Sequence, residues 1–116
     1  EQEQLAQQQQ QEAALMRALA RIDAAMARTL DKGIHEWQMA AQCYDSGFAY
    51  ALQGARGNAK RKLRDAADHL TKAAKLFNSL LRSGLITADM RANLLQCKRQ
   101  MAELKDLIEE LYDIVK

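Results

Sequence analysis

Proline is absent from this chain of 116 residues, glycine occurs five times, and aromatic side chains make up 5% of the sequence. The absence of proline removes the strongest helix breaker and leaves glycine as the main interruption of helices. The shortage of aromatic side chains argues against a surface on which nucleic-acid bases stack. No segment alternates polar and apolar residues with a period of two, as a half-exposed strand would. The sequence therefore predicts an all-α protein of one domain.

The lack of a membrane-spanning segment and of a secretion signal indicates in which cellular compartment the protein is expected. No apolar run approaches the ~20 residues needed to span a bilayer, and the polar N-terminal residues do not resemble a secretion signal. The only cysteines, Cys43 and Cys97, fall within predicted helices, so we expect free thiols in a reducing compartment and an intracellular, cytoplasmic location. Because the chain begins with Glu1 rather than methionine, we expect it to be part of a longer or processed protein.

Two heptad ladders flank the turn at residues 83–87 and form the most specific pattern in the chain. The first ladder contains Leu63, Ala67, Leu70, Ala74, Phe77 and Leu81, and the second contains Met90, Leu94, Cys97, Met101, Leu104, Ile108, Leu111 and Val115. When they are paired across the turn, six pairs of residue numbers sum to 171, as two helices folded back on each other require. Thr87 is typical of a helix N-cap. The pattern predicts an antiparallel hairpin of helices near 59–83 and 88–115.

Two further apolar stripes lie on either side of Gly33. The first contains Leu15, Leu19, Ile22, Met26 and Leu30, and the second contains Ile34, Trp37, Ala41, Tyr44, Phe48, Ala51 and Ala55. Gly33 could take the left-handed conformation that ends helices, and several pairs across it sum to 67. These features predict a second hairpin, of helices near 13–31 and 34–55. The alternative is a long bent N-terminal helix that runs through Gly33 and precedes a single hairpin.

Together the two hairpins predict an antiparallel four-helix bundle at residues 13–116. The Gln-rich residues 1–12 are expected to form a helical extension of it. The aromatic stripe on the second helix is expected to be core. The third helix carries a broad alanine face made of Ala66, Ala67, Ala73 and Ala74. Such a face indicates a closely packed neighbouring helix or, alternatively, a shallow groove.

Motifs for catalysis and metal binding are incomplete. The segment His35–Met39 resembles a zinc-protease helix, but Met39 stands where the second histidine would be needed. His35, Cys43, His69 and Cys97 contain no pair at the i, i+3 or i+4 spacing that prearranges two ligands on one helix. The glycines at 54–58 lack the strand and the Ser/Thr of a phosphate-binding loop. We therefore expect no enzyme activity, no cofactor, no metal and no small-molecule substrate.

The most asymmetric charge pattern lies at the start of the third helix. This cluster, called the basic cluster below, consists of Arg56, Lys60, Arg61, Lys62 and Arg64. Residues 54–75 contain seven basic and two acidic residues, a net charge of +5, whereas residues 103–116 carry a net charge of −3. The two regions could pair within the bundle and fix its antiparallel register. Otherwise the cluster is a candidate site for an acidic partner or for phosphate groups.

These observations favour a non-catalytic protein–protein interaction module that acts as a scaffold, adaptor or assembly subunit through helix-face contacts. The expected partner is another protein, acidic or helical, and a homo-oligomer is also consistent with the heptads. The alternative is a nucleic-acid or anionic-membrane binder that uses the basic cluster. The formal net charge of the whole chain is only +2, which by itself indicates neither a nucleic-acid partner nor an anionic membrane.

Overall fold

The computed structural model describes residues 2–19, 24–84 and 86–116, and these residues form four helices and no strand. The helices are α1 (Gln2–Leu19), α2 (Ala24–Leu52), α3 (Arg56–Arg82) and α4 (Ala88–Val115). The predicted all-α bundle is therefore confirmed. The molecule is elongated, with extents of 47 × 22 × 19 Å, because short connections fold long helices back alongside one another.

The closest interface joins α2 and α3. Two glycines of α2 face large side chains of α3: a Cβ atom on Gly33 would lie 2.6 Å from Cε1 of Phe77, and one on Gly47 would lie 3.0 Å from Cδ2 of Leu63. At Gly33 a Cβ atom would overlap the ring, so only glycine allows this approach, whereas at Gly47 a Cβ atom would be in tight contact with the leucine methyl group. Trp37 completes the interface, with its ring edge-on to Phe77 at a centroid distance of 6.3 Å.

The position of Gly33 corrects the sequence prediction. It lies inside α2 rather than between two helices, so the predicted helices 13–31 and 34–55, and their pairing around a sum of 67, are wrong. The alternative of a helix that continues through Gly33 holds for Ala24–Leu52. Among the described residues Gly54, not Gly33, has a positive φ, of 78°. Gly33 thus provides room for Phe77 and not a helix end, and sequence alone does not distinguish these two uses of glycine.

The hairpin of α3 and α4 has nearly the predicted bounds. Thr87 caps α4 as expected, since its Oγ1 accepts a hydrogen bond of 3.1 Å from the backbone N–H of Met90. All eight apolar residues predicted to face inward from the last helix are buried. The ladder predicted for the third helix is only partly correct: Ala67 is exposed and Ala74 and Leu81 are half-buried. Instead, α3 buries Ala66, Ala73 and Leu80.

The reason for this difference is that α3 packs most extensively against α2. Its buried face is therefore centred between the α2 side and the α4 side, rather than on the seam with α4 alone. The same burial confirms the aromatic stripe as core, with Trp37 and Tyr44 buried and Phe48 half-buried. Leu19 and Ile22, both expected in the core, lie outside the described side chains.

Among its described side chains, helix α1 contacts α2 and α4 through hydrogen bonds of Gln11 and Glu12. The Nε2 of Gln11 donates to the backbone oxygen of Asn93 at 3.2 Å, and the Nε2 of Gln38 donates to Oε1 of Glu12 at 2.7 Å. Leu15 is fully buried in the same region. Residues 2–12 of the expected Gln-rich segment are part of α1, which begins at Gln2 and ends at Leu19; residue 1 lies outside the described residues.

Candidate protein-binding groove

The structure spreads the basic cluster over more than one face of α3. Arg56, Lys60 and Arg64 recur every four residues and share one face. Lys62 lies on the α2 side, near Cys43. Burial raises the pKa of the Cys43 thiol, and the nearby charge of Lys62 acts in the opposite direction. Arg61 is exposed. The five residues predicted as one partner site therefore do not form a single patch.

Arg64 is the member of the cluster that contacts α4. Its Nη2 donates a hydrogen bond of 3.1 Å to the hydroxyl of Tyr112, and its guanidinium carbon lies 5.8 Å from the centre of the tyrosine ring. The pairing around a sum of 171 places Arg64 level with Leu107, five residues before the side chain it contacts. The start of α3 and the end of α4 are thus neighbours, as predicted.

Direct charge pairing between these two regions is not seen. Within the described ranges, no residue of the basic cluster lies within 4 Å of a carboxylate of 103–116. Close contacts between acidic and basic side chains in the same ranges include Glu36 with His69, at 2.6 Å, and Asp113 with Lys116, at 3.3 Å. The charges of Arg56, Lys60 and Arg61 are therefore available to a partner, while the acidic end of α4 contributes only a general field.

A groove of about 390 Å³ runs between α3 and α4 on the side continuous with Arg64. Its base is formed by the buried side chains Leu70, Met101 and Ile108. Its sides include the small residues Ala67, Ala74 and Ala102, and its charged lining consists of Lys75, Lys98, Lys105 and Glu109. This region is called the α3–α4 groove below. It combines an apolar base with three lysines and one carboxylate.

The alanine face predicted on α3 explains how the groove forms. Ala66 and Ala73 are buried and let α2 approach closely, whereas Ala67 and Ala74 leave space beside α4. The alanine face thus serves both purposes that the sequence left open: it packs closely against a neighbouring helix, and it borders a shallow groove. Sequence analysis did not find the groove as a site because Ala102, Lys105 and Glu109, which border it on α4, are ordinary exposed residues of a helix. The seven-residue spacing of Lys98 and Lys105 was the signal that could have indicated it.

The other candidate chemistry finds no support in the described residues. No group of three potential metal ligands occurs there. His69 hydrogen-bonds to Glu36 and lowers the pKa of that carboxyl, in an arrangement that joins α2 to α3. Burial raises the pKa of Cys97 to about 12, so this thiol is a poor nucleophile at neutral pH. No helix in these ranges is long and apolar enough to cross a membrane.

Comparison with known proteins identifies no relative: no family model, no curated protein and no solved structure matches the chain. The function must therefore be argued from the geometry of the chain itself.

Proposed function

We propose that this chain is a non-catalytic protein–protein interaction module that binds one acidic, amphipathic helix of a partner protein in the α3–α4 groove. The observation that supports the proposal is the combination, in one groove, of an apolar base with a border of three lysines. Apolar base and charged border are the two features by which a groove recognises an amphipathic helix.

The dimensions of the groove suit a short helix. Along α3 its lining runs from Ala67 to Asn78, a distance of ~16 Å at 1.5 Å per residue, or about three helical turns. A partner helix of that length presents three or four apolar side chains at i, i+3, i+4 and i+7. The exposed alanines keep the sides low, so those side chains can reach Leu70, Met101 and Ile108.

The charges specify the partner further. Lys75, Lys98 and Lys105 outnumber the single carboxylate of Glu109. Arg56, Lys60 and Arg64 follow the same face of α3 towards its start, so the positive field extends beyond the groove. Each exposed pair with a partner carboxylate would contribute little affinity, but the summed field would steer an acidic helix into place and disfavour a basic one.

Binding of nucleic acid or an anionic membrane is the rival use of the same charges. Its supporting observation is the exposure of Arg56 and Arg61. Such binding needs phosphate contacts but not an apolar groove, and the ring of Tyr112 is already covered by Arg64. The two uses therefore differ in whether filling the groove matters.

The experiment uses a displayed library of amphipathic helical peptides with acidic or basic flanks, selected against the whole chain. We expect acidic peptides to be enriched, and to lose at least tenfold in affinity for Ala102→Trp, which fills the groove from an exposed position. The matched control is Ala92→Trp, at another exposed alanine of α4. The free energy of unfolding of both variants is checked by urea titration followed by circular dichroism.

Two outcomes would contradict the proposal. One is equal binding of the selected peptides to Ala102→Trp and to the wild-type chain. The other is that no acidic peptide is enriched. If RNA, DNA or anionic vesicles bind with a steep loss of affinity on adding salt, and Ala102→Trp binds them unchanged, the rival function is supported instead.

A further inference from the structure

A second, separate surface is marked by exposed apolar side chains at one end of the bundle. Leu52, Leu107 and Ile114 have exposed fractions of 76%, 36% and 73%. Leu52 is the last residue of α2, and the other two lie in the last three turns of α4. Because α2 runs towards the turn that starts α3 and α4 runs back to the same end, all three residues belong to that end.

Heptad spacing places these residues on the same lane of the bundle that α1 occupies. Helix α1 forms hydrogen bonds with Gln38 of α2 and with Asn93 of α4, so these two residues mark the sides of α2 and α4 that face α1. Leu52 lies two heptads after Gln38, and Leu107 and Ile114 lie two and three heptads after Asn93. Residues seven apart share a helix face. The lane between α2 and α4 is therefore amide-lined under α1 and apolar beyond it.

The charges beside this apolar lane are of the opposite sign to those of the α3–α4 groove. Glu103 and Glu110 lie four residues before and three residues after Leu107, so both flank it on the surface of α4. Both are exposed, and neither forms an ion pair within 4 Å in the described ranges. The lysines of α4 that face α3, Lys98 and Lys105, lie on a different side of the helix. The border of the lane on α4 is thus acidic.

We infer that this lane, defined by Leu52, Leu107 and Ile114, is a docking surface for a basic amphipathic helix of a partner protein. The helix lies between α2 and α4 as a continuation of α1. Its apolar face covers the three exposed side chains, and lysine or arginine residues on its flank face Glu103 and Glu110. The module then holds two helices of opposite charge on different faces, which is the arrangement of a scaffold.

The test uses two synthetic amphipathic helices with the same leucine face, one flanked by lysine and one by glutamate, titrated against the whole chain by calorimetry. We expect the lysine helix to bind the lane, and its affinity to fall at least tenfold in the double variant Leu52→Gln/Ile114→Gln. The matched control is Leu95→Gln, which removes another exposed leucine of α4, with an exposed fraction of 43%. All three substituted positions are exposed, so folding is retained.

A charge reversal tests the acidic border. In Glu103→Lys/Glu110→Lys the affinity of the lysine helix is expected to fall at least tenfold, because the apolar lane is unchanged and only the charge of its border differs. Loss of lysine-helix binding in Ala102→Trp, at the α3–α4 groove, would overturn the assignment to the lane. Equal binding to Leu52→Gln/Ile114→Gln and to Leu95→Gln would also overturn it.

A second copy of the chain is the other candidate to bind the lane. Light scattering across a concentration series shows whether the chain forms such a dimer. A stable dimer that dissociates in Leu52→Gln/Ile114→Gln but not in Leu95→Gln would overturn the inference. A mass of 13.1 kDa at all concentrations, for the wild-type chain and for both variants, is the expected result. Since the lane and the α3–α4 groove share no residue, either proposal can fail without the other.

Discussion

The interface between α2 and α3 and the seam between α1 and the rest of the bundle are built in contrasting ways. The first brings glycine against Phe77 and Leu63 and buries Trp37 fully. The second buries a glutamine, Gln8, completely, and the Oε1 of that glutamine has no hydrogen-bond partner. The Nε1 of Trp37 is likewise buried without a partner, so an unpaired polar atom, which costs about 1–3 kcal/mol, occurs in both regions. The regions differ in how the helices approach: glycines bring α2 close to α3, whereas the contacts described for α1 include hydrogen bonds of Gln11 and Glu12. We therefore expect α1 to be the more easily detached helix.

The largest effect is expected from Phe77→Ala. The ring is fully buried between Gly33 and Trp37, so its removal leaves a cavity and should lower the free energy of unfolding by about 3–5 kcal/mol. Leu15→Ala in α1 should cost clearly less, because its effect cannot exceed the free energy with which α1 docks. Urea denaturation of both variants makes the comparison. Equal losses would show that α1 is as firmly held as the hairpin.

A smaller effect is expected from Gly33→Ala. The added Cβ would overlap the ring of Phe77, which is held in place by Trp37, so the variant should be destabilised by about 1–3 kcal/mol. The control is Gly57→Ala in the first turn of α3, where a Cβ would meet nothing within 4 Å. There the better helix propensity of alanine should add up to about 1 kcal/mol of stability. Thermal unfolding of the two variants should shift in opposite directions.

Thiol labelling can report on α1 directly. Cys97 is fully buried, and two residues of α1 influence the pKa of its thiol. The charge of Glu12 raises that pKa, and a hydrogen bond with Gln11 lowers it. In Cys43→Ala, Cys97 is the sole thiol. If α1 detaches by itself, the labelling rate of Cys97 should depend less steeply on urea concentration than global unfolding does. Identical urea dependences for labelling and for global unfolding would mean that α1 does not open separately.

The smallest predicted effect concerns the hydrogen-bonded pair of Glu36 and His69. The hydrogen bond from His69 lowers the pKa of Glu36 below its ordinary value of 4.5 in the folded state. The pair therefore stabilises the fold above that value, and its contribution is lost as the pH falls through the lower folded pKa. Because both side chains are partly exposed, we expect about 0.2–1 kcal/mol. Melting temperatures from about pH 3 to about pH 6 should fall less steeply on acidification in Glu36→Gln than in the wild-type chain.

The fold was largely predictable, and the exceptions have identifiable causes. The eight buried apolar positions of α4 follow from heptad spacing alone, because that helix presents one continuous apolar stripe to the bundle. The end predicted at Gly33 failed because glycine is used both to end helices and to admit close neighbours. The basic cluster was recognised from charge, but its division over several faces of α3 depends on which side of that helix meets α2.

By itself the sequence determined the helical class, the hairpin of α3 and α4, and the opposite charges of their neighbouring ends, since these depend on local periodicity and short connections. Tertiary structure decided what periodicity does not encode. It placed Phe77 against Gly33, left Ala67 and Ala74 beside a groove instead of in the core, and left Leu52 and Ile114 exposed. Each of these depends on the rotation of a helix about its own axis, which is set by packing against its neighbours and not by its own pattern.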